Sequence, residues 1–277
     1  MATNAESSDT AQSNDPKASI QAEWNSIKGI TAIFREIYNT IFEEAEIKPI
    51  SRVERGDPLE LTPYFTTSRT YTIFYDANPP EQTWVKGKDA FPPGTSRELK
   101  MGILKLHTCD MSVHLLHSHL TKALETIGAR VDWGCVAPKP HILIKGSSTN
   151  FHFPLHSTFC ITSSTGNEFI ADFTIEQLGY EESGWFCNKD TYLENCTMDA
   201  RWRAGTVAEA DMLKQSLSTN DFALCVGETI RVVCNEIDWK EYEKLSEPDR
   251  ELWLQARMTI VKQRAREENR LNDKDDE

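Results

Sequence analysis

Residues 108–131 read TCDMSVHLLHSHLTKALETIGARV, and residues 156–174 read HSTFCITSSTGNEFIADFT. Wound at about 100° per residue, the first stretch places Val113, Leu116, Leu120, Ala123, Leu124 and Ile127 within about 60° of Cys109. Ser118, Lys122 and Glu125 fall on the far side. The pattern predicts a helix that opens near Cys109, buries the stripe Cys109 heads, and stops at Gly128. The second stretch predicts strands over 156–163 and 168–174, joined by a turn at Ser163-Ser164-Thr165-Gly166-Asn167. Further strands are expected over 129–136 and 141–144.

The position of Cys109 has a chemical consequence. The first turn of a helix carries unpaired N–H groups and the positive end of the dipole, which favour a thiolate. The same N–H groups can stabilise an oxyanion formed beside the sulfur. Pairing of the two strands about Ser164 would set His156 opposite Asp172, on one face and about 5 Å apart between Cβ atoms. An aspartate there orients and polarises an imidazole.

A cysteine opening a helix, a strand-borne histidine and an aspartate on the next strand thus follow one another. In this order and context the sequence resembles the transglutaminase-like branch of the papain-like cysteine enzymes. The resemblance rests on Thr108-Cys109-Asp110, on 124–131 with its small-residue turn and Arg130, on His156-Ser157-Thr158-Phe159, and on Asp172-Phe173-Thr174 with Gln177 shortly after. It covers about 100–180. One position departs: the family usually carries glycine two residues before the cysteine, where this chain has His107.

The resemblance implies an α+β fold with a papain/transglutaminase-like core, an antiparallel sheet packed on the cysteine-bearing helix. It also implies a Cys109, His156, Asp172 triad that forms a thioester from a small-molecule or peptide acyl substrate. Water would resolve that thioester in a hydrolase and an amine in an acyltransferase. The Cys109 N–H would form part of the oxyanion hole, with Trp84 as a candidate side-chain donor. The chemistry needs no cofactor. Calcium serves some relatives, but no loop here resembles an EF-hand.

Outside this core, Ile20, Trp24, Ile27, Ile30, Phe34, Ile37, Tyr38, Ile41 and Phe42 recur at helical steps, predicting an amphipathic helix of roughly 25 residues. Residues 48–97 carry seven prolines and are expected to be irregular, with a strand or two. Ser96 is placed to cap a helix ending near Leu104. After Gly179 the reading turns irregular, then helical over about 206–217 and 221–245. Pro248 stands in the first turn of a last helix. One domain is expected over 18–262, between a disordered tail (1–17) and a charged tail (263–277).

Composition bounds the function classes. The chain has 277 residues, 39% hydrophobic and 26% charged, enough for a core without a disulfide or metal staple. Its 43 acidic residues against 30 basic give a net charge of −13, which repels phosphate backbones and argues against a nucleic-acid partner. No apolar run approaches the roughly 18 residues of a membrane span. The polar N-terminus has no signal-peptide core, and the seven cysteines form no C-x-x-C pair. A cytoplasmic protein with free thiols is expected.

His107, His114, His117 and His119 crowd one stretch, but on a helix they do not converge with Cys109, and no metal site is expected. Dinucleotide, P-loop and serine-hydrolase fingerprints are missing. The alternative to an enzyme is a catalytically inactive core of the same shape acting as an interaction module, docking through its terminal helices.

Overall fold

A computed structural model describes residues 16–61, 66–75, 84–145 and 155–272. Helix α1 (Pro16–Glu44) leads to strands β1 (Glu46–Ile47), β2 (Ile50–Arg55), β3 (Leu59–Leu61), β4 (Thr66–Tyr75) and β5 (Val85–Lys86). Helices α2 (Arg97–Leu104) and α3 (Cys109–Leu124) follow, then strands β6 (Arg130–Pro138), β7 (Ile142–Lys145), β8 (His156–Thr162) and β9 (Glu168–Ala171). The chain continues through β10 (Phe186–Asn188), α4 (Lys189–Cys196), β11 (Thr197–Ala204), α5 (Val207–Leu217), α6 (Asp221–Asn235), α7 (Trp239–Lys244) and α8 (Glu247–Asn272).

The fold is α+β. Its centre is a five-stranded antiparallel sheet in the order β10-β9-β8-β6-β11. Helix α3 packs against β8 and β6, and α1 packs on α3 and α8. The predicted stripe forms this contact: Val113, Leu116, Leu120, Ala123 and Leu124 are buried with Val131, Ile161 and Phe169 of the sheet. Gly128 ends the helical segment in the left-handed conformation (φ 72°), as its lack of a Cβ permits. The α1 stripe is buried from Ile27 to Phe42.

Several expectations need correction. Residues 48–97 are more regular than their prolines suggested. β4 pairs antiparallel with β2 and β3 and parallel with β7, giving a second sheet of four strands, while β1 and β5 form a separate ribbon. The cause is the run Thr66–Tyr75, rich in threonine and aromatic residues that suit a pleated surface. The expected strand over 141–144 forms, but joins this second sheet.

The 221–245 stretch breaks into α6 and α7 because Asp238 caps a new helix, accepting from the N–H groups of Lys240 and Glu241. Residues 186–204, expected to be irregular, supply β10, α4 and β11. The domain is wider than 18–262. Helix α1 starts at Pro16, and α8 runs to Asn272 with Ala265 buried and Arg266 bonded to Glu44 at 3.0 Å. Residues 263–266 therefore belong to the folded body, while the tail residues 1–15 and 273–277 lie outside the described residues.

Candidate active site

Cys109 is the first residue of α3. The preceding Thr108 gives the helix no side-chain cap; its hydroxyl donates backward to the Lys105 carbonyl (2.8 Å). The first-turn N–H groups are thus not taken up by the cap residue, as an oxyanion site requires. Tyr38 of α1 donates to the Thr108 carbonyl (3.0 Å), and Ser112 donates to the Cys109 carbonyl (2.7 Å). Asp110, beside the cysteine, accepts from the Ser157 hydroxyl, which in turn accepts from the Trp133 indole at 2.8 Å. This chain ties the start of α3 to β8 and β6.

His156 opens β8, and its Nε2 lies 2.8 Å from Asp172 Oδ2. The Cys109 side chain lies close enough to the ring to help raise its pKa. With Nε2 committed to Asp172, Nδ1 is the ring nitrogen left to serve the sulfur. The three predicted residues therefore come together, and all are buried: Cys109 is 7% exposed, His156 3% and Asp172 0%.

The route to that meeting differs from the expected one. The hairpin is centred on Thr165, because Ser163 and Asn167 pair through Ser163 N–H and Gly166 takes φ 89° in a three-residue loop. β8 and β9 pair Phe159 with Ala171 and Thr162 with Glu168, and β9 ends at Ala171. Across the ladder, His156 faces Val136 of β6. Moving the centre by one residue shifts each partner by two, so His156 and Asp172 become diagonal neighbours that still share a face. A shift of one partner would have separated them.

Asp172 accepts four hydrogen bonds. His156 (2.8 Å) and the Tyr192 hydroxyl (2.7 Å) reach Oδ2, while the Thr174 N–H (3.0 Å) and hydroxyl (3.3 Å) reach Oδ1. Burial alone would raise its pKa, but the imidazole beside it and these donors hold the carboxyl below the usual range. Burial likewise opposes a charged His156, yet Asp172 and the Cys109 sulfur hold the imidazole well above its ordinary value. Tyr192, on α4, was not found from the sequence. One tyrosine in a short helix with no strong periodicity carries no signal.

Gln177, noted in the sequence, closes a loop between the two halves of the site. Its Nε2 donates to Thr174 Oγ1 (2.8 Å), and its Oε1 accepts from the His107 N–H (3.0 Å). His107 itself has φ 61° with its side chain exposed. The position where the resembled family carries glycine thus takes a conformation that suits glycine, here at a penalty of roughly 1–2 kcal/mol. His107→Gly, after allowing for the greater freedom of an unfolded glycine, should stabilise the protein by about 0.5–1 kcal/mol. A thermal melt should show a rise of a few degrees; a fall would mean the imidazole makes compensating contacts.

Gly102 permits the close approach of α2 to this loop, since a Cβ there would come 2.6 Å from the Glu176 carbonyl oxygen. Trp84 immediately precedes β5 and is exposed, its ring 6.0 Å from the Lys48 ammonium. Among the described residues, no group of three or more His, Cys, Asp or Glu comes together to hold a metal ion. His114, His117 and His119 are each pushed down by partial burial. None of the seven cysteines is in a disulfide, and no helix of the described residues is long and apolar enough to cross a membrane. Comparison with known protein families, curated proteins and solved structures gives no match.

Proposed function

We propose that the chain is a cysteine-nucleophile enzyme of transglutaminase-like architecture, acting on a small-molecule or peptide acyl group through a thioester. The observation that carries this reading is the His156 imidazole, bonded to the Asp172 carboxylate and close to the Cys109 side chain at the start of a helix. In this reaction Cys109 Sγ attacks the acyl carbon while His156 takes the thiol proton. Negative charge gathers on the former carbonyl oxygen, next to the first-turn N–H groups of α3. The bond to the leaving group then breaks, and His156 returns the proton to it. Water or an amine attacks the thioester, gives its proton to His156, and releases Cys109. Asp172 keeps Nε2–H pointed at itself throughout, so Nδ1 faces the sulfur.

Alkylation mapping tests this reading. Limiting iodoacetamide on the native protein should label Cys109 ahead of Cys135, Cys160, Cys187, Cys196 and Cys234. Burial pushes the thiols of Cys135, Cys160 and Cys187 up to about 11 and those of Cys196 and Cys234 up to about 12. In His156→Ala, Cys109 should lose at least about a hundredfold in rate, the low end for removal of a general base.

A second reading, a catalytically silent scaffold that serves as an interaction module, is favoured by the deep burial of the site, with Cys109 only 7% exposed. It predicts an inert Cys109 and no effect of His156→Ala.

A further inference from the structure

Lys105 is the C-terminal cap residue of α2, and its side chain is 0% exposed. A fully buried lysine is rare unless its charge is matched. Here Nζ donates to the Phe173 carbonyl (2.7 Å) and to Glu176 Oε2 (3.0 Å). Glu176 is 1% exposed, and its other oxygen takes Arg35 of α1 at 2.5 Å. Arg35 also reaches the half-exposed Glu182 at 3.2 Å. Replacing such a cluster with apolar side chains is often neutral for stability, so burial energy does not by itself explain the lysine.

Its contacts suggest a different role. The Phe173 carbonyl gripped by Lys105 and the Thr174 N–H that bonds Asp172 Oδ1 belong to one peptide unit. That unit is planar and rigid, so fixing its oxygen fixes the direction of its N–H. Donation to the carbonyl also polarises the unit and strengthens the bond at its other end. The Lys105 main chain meanwhile holds the other half of the site. Its carbonyl accepts both the Thr108 N–H (3.1 Å) and the Thr108 hydroxyl (2.8 Å), immediately before Cys109.

We infer that Lys105 is a positioning residue for the triad, aiming the Asp172 carboxylate at His156 through the Phe173–Thr174 peptide while its backbone sets the turn that presents Cys109. The inference rests on the reading of Cys109, His156 and Asp172 as a catalytic set. The groups facing the ammonium are Glu176, Asp172 and Arg35. Burial lowers the Lys105 pKa to about 8, with Arg35 adding to the shift and Glu176 and Asp172 opposing it. At pH 7 the grip is therefore that of a charged donor, and it weakens as the pH rises through about 8.

The test compares the full chain with Lys105→Met and Glu176→Gln, reading the iodoacetamide rate of Cys109 at pH 7 and stability in urea. Lys105→Met removes the donor to Phe173, whereas Glu176→Gln leaves that donor in place. Lys105→Met should slow Cys109 at least tenfold with labelling of Cys225 on α6 changed less than twofold, and Glu176→Gln should slow Cys109 less than threefold. A rate loss that follows stability loss equally in both variants, or an unchanged rate in folded Lys105→Met, overturns the inference.

Should Lys105→Met not fold, NMR of the wild-type protein decides. The Lys105 Cε and Thr174 amide resonances should titrate together with a midpoint near 8, and independent titrations overturn the inference. An inert Cys109 in the wild type would instead remove the catalytic reading itself. A reactive Cys109 indifferent to Lys105 would remove only the positioning role.

Discussion

Asp172→Asn should slow labelling of Cys109 by a hundredfold or more and destabilise the protein by about 2–4 kcal/mol. The reason lies in the hydrogen-bond census around the carboxylate. All four groups that reach it are donors: His156 and Tyr192 on one oxygen, the Thr174 N–H and hydroxyl on the other. An asparagine must turn its NH2 toward one of these pairs. Turned toward Thr174, it opposes a backbone N–H that cannot reverse its role. Turned toward His156, it forces the neutral ring to accept at Nε2 and carry its proton on Nδ1, where a base is needed for Cys109.

The stability loss should also depend on pH. The His156 pKa is raised on folding, so its contribution is complete below about 6.5 and fades as the pH climbs through the raised value. Asp172 is lowered, so its contribution is present above about 3.8 and fades as the pH falls through the lower folded value. The gap between wild type and variant should therefore be widest between about pH 4 and 6.5 in urea titrations. A gap that stays constant from pH 3 to 9 would mean that the pair carries no ionic character.

Leu116→Ala should give the opposite profile. Leu116 is fully buried at the centre of the α3 stripe, and truncating such a side chain costs about 2–5 kcal/mol, the range reflecting how far the surroundings relax. A loss of about 3 kcal/mol corresponds to roughly 6–12 °C in Tm for a domain of this size. Yet Leu116 lies about two turns from Cys109, and the bonds of Thr108, Asp110 and Ser112 that hold the helix start do not involve it. At 25 °C, where the variant remains folded, labelling of Cys109 should stay within a few-fold of wild type. A hundredfold fall would show that core packing, not the local bonds, aims the sulfur.

These two variants divide what the sequence makes legible from what it hides. The α3 stripe, the glycine stop and the hairpin turn are short-range signals, each written in residues three or four apart, and they appear where they were expected. The helix cap at Ser96 is of the same kind, accepting from Leu99 N–H at 3.3 Å. The alignment of β8 with β9 is less local, since it depends on which residue of a five-residue turn goes left-handed. The hairpin alone admitted more than one answer that kept His156 and Asp172 on one face.

The donors that surround Asp172 are harder still. Tyr192 reaches it from twenty positions away, through a helix too short to show a period. Lys105 did leave a trace: it stands four residues after Met101 and next to Leu104, on an apolar side where a lysine is out of place. The pairing of β4 with β7 was beyond a sequence reading, because strands that run parallel require a crossover and carry no turn signal between them.

Helix α1 has a consequence for the order in which the chain becomes a protein. Its apolar stripe is complete once Phe42 is made, but Arg266 of α8 bonds Glu44 from 222 positions further along, and α8 packs on α1. At about 5–20 residues per second, the ribosome leaves that stripe waiting on the order of 10–40 s for its final cover. During synthesis α1 therefore meets α3 and α6 before α8, and part of its stripe stays uncovered until the region around Arg266 has been made.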